Sequence, residues 1–174
     1  MAISFYDLTV PAFVQTLAAM EKVLERGLSH AVDTAIDPES LVETRLFPDM
    51  LPLRFQIISV AHHSAGALEA AKSGAFMPPD GRQALTYAGL QALVADTRGK
   101  LEALPRDEID ALENNDITFH FGERRLPFTA AGFLQSFSLP NFYFHAATAY
   151  DILRMKGVPL GKRDFMGQMR MKAA

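Results

Sequence analysis

Leu139-Pro140-Asn141-Phe142-Tyr143-Phe144-His145-Ala146-Ala147-Thr148-Ala149-Tyr150-Asp151-Ile152-Leu153-Arg154 is the stretch on which the fold turns. It reads as the body of a long helix. Leu134, Asn141, His145 and Ile152 follow one another at spacings of seven, four and seven, so they lie on one line of that helix. Thr129 is suited to cap its start and Gly157 to end it near Lys156. Pro140 sits inside and predicts a kink or a locally loosened turn. Phe133, Phe137, Phe142, Tyr143 and Phe144 cover more than one face, which implies burial on several sides. Asn141 and His145 share the apolar stripe and need partners there, because an unsatisfied buried polar group costs about 1–3 kcal/mol.

Three further helices lie upstream. In the first, Val10, Phe13, Leu17, Met20, Leu24 and Leu28 share a face opposite Glu21, Lys22, Glu25 and Arg26. Pro11 leaves two starts open: a kinked helix from Ser4, or a later one capped by Thr9. Residues 33–52 form a long connection, broken by Pro48 and Pro52 and suited to wall a pocket. The second helix runs from about Leu53 to Ser73, with Leu53, Ile57, Val60, Ala61, Ser64 and Leu68 inward and Gly74 as its stop. Pro78-Pro79-Asp80-Gly81 is a turn. The third helix runs from about Arg82 to Leu104 along Thr86, Leu90, Leu93, Thr97 and Leu101, and Pro105 stops it.

Between the third and fourth helices the period changes to two. Ile117, Phe119 and Phe121 alternate with Thr118 and His120, and Arg125 to Phe128 offers a return strand after a turn at Gly122-Glu123-Arg124. The fold class expected is therefore all-α: a four-helix bundle with a small β-hairpin between helices three and four. It forms a single domain over residues 1–174, with 158–174 an irregular tail.

Bulk properties narrow the function classes. The chain has 174 residues, 49% of them hydrophobic, enough for a sizeable core in one domain. A net charge of −3 gives no pull toward nucleic acid or an anionic membrane. No cysteine is present, which excludes disulfides, thiolate metal sites and cysteine nucleophiles. The first ten residues lack the pattern of a secretory signal, and no run approaches the roughly 18 apolar residues of a membrane helix. The expectation is a cytoplasmic protein of bacterial type. No phosphate-binding glycine loop, nucleophile elbow or His-Glu-x-x-His motif occurs.

The candidate chemistry rests on histidine. An i, i+4 pair on a helix places two ligands on one metal, but Asn141 is a poor ligand for zinc or nickel beside His145. On the second helix, His62 and His63 are about 100° apart. His62 flanks the core face, in line with Ile58 and Ala65, whereas His63 continues the line Gln56, Ser59 and Ala70, read as more exposed. His62 is thus the inward candidate. The alternative is a hydrogen-bonded polar cluster in the core, with no ligand.

The order of elements and four pieces carry a resemblance over nearly the whole chain. They are Pro48-Asp49-Met50-Leu51-Pro52-Leu53, Leu139 to His145, Thr148 to Arg154 and Gly161-Lys162-Arg163-Asp164-Phe165. The chain resembles a bacterial family of unknown function placed with the DinB-like proteins, which are up-down-down-up four-helix bundles. Many DinB-like proteins hold a divalent metal on one histidine of the second helix and a His-x-x-x-His pair of the fourth. Counted back from Arg154 and Gly157, His145 falls on the second histidine of that pair, Asn141 on the first, and His62 near the second-helix ligand. The resemblance therefore implies a metal set of His62, His145 and Asn141, degenerate at Asn141, for zinc or nickel. It also implies a small-molecule pocket between the second and fourth helices, roofed by residues 40–52. Thiol-dependent transfer and isomerisation are known in that superfamily. The reading preferred is a non-catalytic small-molecule binder, with a metal-assisted transferase or isomerase as the alternative. A homodimer is expected, since a second copy would cover the aromatic face that the hairpin leaves open.

Overall fold

The computed structural model describes residues 3–172. It is mostly helical with one small sheet. Helix α1 spans Phe5–Asp33. Its start settles the ambiguity at Pro11. The Ser4 side chain accepts from the Asp7 N–H at 3.3 Å, and Asp7 accepts from the Ser4 N–H at 3.4 Å, a capping box. Thr9 instead donates to the Phe5 carbonyl at 2.8 Å, and Pro11 lies within the helix. One apolar face, including Phe13, Leu17, Met20 and Leu24, is fully buried.

The connection contains the short helix α2, Glu39–Val42. Its Glu39 carboxylate accepts from the Tyr87 N–H at 3.0 Å, tying the connection to the start of the third long helix. The second long helix is interrupted. Helix α3 covers Leu53–Ala61, a π turn covers His62–Gly66, and helix α4 covers Ala67–Ser73. Gly74, with φ of 82°, ends α4 in the left-handed region where a side chain is strained. Strand β1, Ala75–Phe76, follows directly.

Helix α5 spans Tyr87–Glu102, starting five residues later than the expected Arg82, because Thr86 caps it by accepting from the Gly89 N–H at 3.1 Å. After the short helix α6, Arg106–Asp110, come β2, Asp116–Phe121, and β3, Arg124–Thr129. The two strands pair antiparallel, with Ile117 opposite Phe128. β1 adds to them in parallel, Phe76 opposite Phe119, so the sheet has three strands rather than the expected two. A two-residue strand has no periodicity to read, which is why sequence patterning passes over it.

Helix α7, Ala130–Phe133, is capped by Thr129, whose hydroxyl accepts from the Gly132 N–H at 3.1 Å. A second π turn, Leu134–Ser138, leads into helix α8, Leu139–Met155. The loosened turn expected from Pro140 is this π turn: proline cannot donate to the preceding turn, and the wider turn absorbs the break.

α1 packs on α5 and α8, and α3 packs on the same two helices. The aromatic cover of α8 is less even than expected. Phe142 is fully buried and meets Phe13 edge to face at 4.9 Å, while Tyr143 and Phe144 remain exposed. The tail also differs from the irregular segment expected. Lys162–Met166 forms helix α9, held to α1 by the Arg26–Asp164 ion pair and by Gln15, which donates to the Met166 carbonyl at 2.9 Å. The last two residues of that expected tail lie outside the described residues.

Candidate functional site

The two π turns meet. Ser138, at the end of the second, donates its hydroxyl proton to the His63 carbonyl, inside the first, at 2.9 Å. Beside this contact is a cavity of about 150 Å³, walled by rings from α3, α8, the sheet and the Pro78-Pro79 turn. π turns are rare and recur at functional sites. Two of them touching next to a cavity locate the candidate site.

The polar groups there come from one line of α3. Gln56 is 2% exposed, Ser59 0% and His63 5%. The expectation that this line is the exposed one, and His62 the inward histidine, is corrected. α3 is covered on two sides, by α5 and by α8, so the polar line is as buried as the apolar one. His62 turns to the Pro78 side, its Nε2 2.7 Å from the Met77 carbonyl and its ring against Phe76. His63 takes the inward place. Its ring lies 5.8 Å from that of His145 at an interplanar angle of 15°.

The hydrogen bonds assign the histidine tautomers. The Gln56 amide donates to the Leu51 carbonyl at 2.7 Å, so its oxygen faces His145 Nδ1, also at 2.7 Å, and that nitrogen carries the proton. Ser138 has spent its proton on the His63 carbonyl, so it accepts a long bond, 3.4 Å, from His63 Nδ1. Each imidazole is thus held from behind through Nδ1–H. Each keeps an Nε2 lone pair with no protein partner among the described residues.

Both rings are neutral at ordinary pH. Burial pushes His63 down to about 3, aided by repulsion from His62 and His145. Burial alone pushes His145 down to about 4. His62 is also lowered by burial, against which its bond to Met77 works. One further group is unusual. Ser59 is one of the residues lining the cavity, and its hydroxyl is wholly buried with no hydrogen-bond partner; among the described residues it is the only such side-chain atom. A serine in a helix ordinarily donates to a carbonyl one turn back, as Ser64 does to Val60 at 2.7 Å.

Asn141 donates its amide to the Phe137 carbonyl at 2.7 Å, which orients it along its own helix. The metal set of His62, His145 and Asn141 is therefore not brought together as drawn, because two of its members are engaged with main-chain carbonyls. The pair that does meet, His63 and His145, supplies two imidazoles, whereas a catalytic zinc takes three protein ligands. Among the described residues no three His, Cys, Asp or Glu side chains gather within reach of one ion. The donor set does not fit a firmly held zinc or nickel.

The roof also differs. Pro78, Pro79 and Phe121 flank the cavity, which residues 40–52 do not line; within that stretch Glu43 instead pairs with Arg54 of α3 at 2.7 Å. A larger groove, about 540 Å³, runs between α4 and α5, but it contains no orphaned polar atom. His63, Ser59, Gln56 and Ser138 all escaped sequence reading as site residues. The available signal was the line Gln56, Ser59, His63, at spacings of three and four, within an otherwise apolar helix.

Among the described residues, no helix is long and apolar enough to cross a membrane. No curated protein matches the chain. A solved structure, of a DinB family member from Shewanella denitrificans, superposes with a TM-score of 0.80 at 26% identity, covering 97% of this chain and 95% of that one. A family model described as a domain of unknown function, DUF1993, matches residues 5–166. The chain therefore belongs to the DUF1993 family and has the helical fold of a DinB family member.

Proposed function

We propose that the chain is one DinB-like domain, an up-down-down-up four-helix bundle, that binds a small and largely apolar molecule in the cavity between α3 and α8. The observation that carries this reading is the wholly buried Ser59 hydroxyl without a partner, beside two histidines whose Nε2 lone pairs are also unused. Leaving the buried Ser59 hydroxyl unmet costs about 1–3 kcal/mol, and a ligand with hydrogen-bonding groups of its own recovers that. Four groups hold the pocket's polar side in shape: Gln56 and Ser138 fix the rings, and Leu51 and His63 fix those two through their carbonyls.

Binding is favoured over acid–base catalysis. An effective general base has a pKa near the working pH. His63 and His145, at about 3 and 4, accept a hydrogen bond at neutral pH but bind a proton weakly.

Fragment screening by ligand-observed NMR tests the proposal. Fragments are expected to bind the wild type and to lose at least tenfold in affinity on His145→Ala, with that variant still melting cooperatively. Ser59→Ala is the milder companion, expected to weaken binding while leaving the fold intact. Binding indifferent to both substitutions sinks the pocket.

A further inference from the structure

We propose that the ligand is a neutral, single-ring aromatic molecule bearing a hydroxyl group, a phenol, held face-on by phenylalanines with its hydroxyl between Ser59 and a histidine Nε2. This deepens the pocket reading and rests on it.

Size comes first. The cavity is about 150 Å³, and a dry apolar cavity of roughly that volume accepts benzene. A single ring matches that volume. The walls select the same shape. Phe55, Phe76, Phe119, Phe121 and Phe137 all line the space. Their rings are already engaged in tilted and edge-to-face contacts, as between Phe119 and Phe137 at 4.8 Å. A flat aromatic guest extends that arrangement.

The polar groups then choose the substituent. No lysine, arginine, aspartate or glutamate lines the cavity. A carboxylate or phosphate ester would enter without a counter-charge, and so would an ammonium group; burying an unpaired ion is strongly unfavourable. Set into the walls are His63 and His145, each with an unused Nε2 lone pair, and Ser59 with its unpartnered hydroxyl. A phenolic oxygen complements this set: its O–H donates to Nε2 of His145 or His63, and its own lone pair accepts from Ser59. An ether meets only the accepting half, and a bare ring meets neither. Because the imidazoles hold their protons on Nδ1, the guest must bring the donor.

Titrating wild-type protein with phenol, anisole, benzene, benzoate and tetramethylammonium tests this, read by NMR of the histidine Cε1–H resonances and by thermal shift. Phenol is expected to bind at least tenfold more tightly than anisole or benzene and to move the His63 and His145 resonances. Ser59→Ala is expected to lower phenol affinity severalfold and leave benzene affinity unchanged, which a purely structural role for Ser59 would not do. If phenol, anisole and benzene bind alike, the phenol assignment fails while the pocket stands. Preference for benzoate or tetramethylammonium likewise overturns it. If none of the five binds, the pocket reading itself fails.

Discussion

His63 and His145 make the folded state sensitive to acid, and the direction follows from their burial. Both are held neutral, at about 3 and 4, whereas an exposed histidine in the unfolded chain titrates near 6.5. As pH falls below about 6.5 the unfolded chain takes up protons that the folded chain refuses. Stability is complete above that value and is lost progressively down to about 4. Urea melts at pH 7.5 and 5.0 are expected to differ by about 1–2 kcal/mol per histidine, and His63→Gln is expected to flatten the dependence. A flat wild-type profile overturns the assignment of two buried neutral rings. The same pair bears on metal. Protein purified without a histidine tag is expected to carry zinc and nickel far below one equivalent, with an unchanged melting temperature when either is added. At this scale His145 was legible, because helix periodicity carries an inward position forward reliably. Residue type alone favours His62 over His63, because polar neighbours ordinarily mark an exposed line, yet Gln56, Ser59 and His63 are buried polar groups.

The elements were legible where their caps and periods are strong. Thr129 caps its helix and Gly74 and Gly157 stop theirs with positive φ as residue type predicts, whereas the sequence left the Ser4 cap open against Thr9 and gave Thr86 a place inside the helix it caps. The first π turn was not legible, and of the second only a loosening near Pro140 was. A π turn adds one residue to a helical turn without changing the pattern of residue types, and only the packing on each side reveals it. The second one admits a direct test. Gln135 is exposed, so Gln135→Ala should change stability by no more than about 0.5 kcal/mol. Deleting Gln135 should convert the turn to regular α-helix and swing α7 by about 100° relative to α8. That pulls Phe133 from its buried seat and should cost on the order of 3 kcal/mol. Equilibrium denaturation of both variants reads the difference, and comparable stability for the two would show that the wide turn has no structural role.

For the whole molecule, the family match and the DinB-like neighbour establish relationship and fold. Two features belong to this scale. The tail is part of the fold: α9 lies on α1 through Arg26 and Gln15, and on α8 through the Tyr150–Phe165 ring contact at 6.0 Å. A chain ending at Leu160 is expected to melt lower by several degrees, and an unchanged melting temperature would count against that docking. We also propose a homodimer, for which the exposed Tyr143 and Phe144 rings on α8 are the motive. Sedimentation is expected to show twice the chain mass, and Phe144→Glu to halve it. A wild-type monomer at micromolar concentration rejects the dimer.

The amino-acid sequence by itself determined the class of fold, the long helices and their buried stripes, the strand pair after Asn115, and the inward place of His145 on its helix. These follow from residue type and spacing within a single element, which is local information. Tertiary structure alone decided which histidine partners His145, that Ser59 is left without a bond, and that Phe76 joins the sheet to floor a cavity. Each of these depends on what one element meets on another. His63 points inward because α8 and α5 both cover α3, and the same cover shuts the unpartnered Ser59 hydroxyl away from solvent.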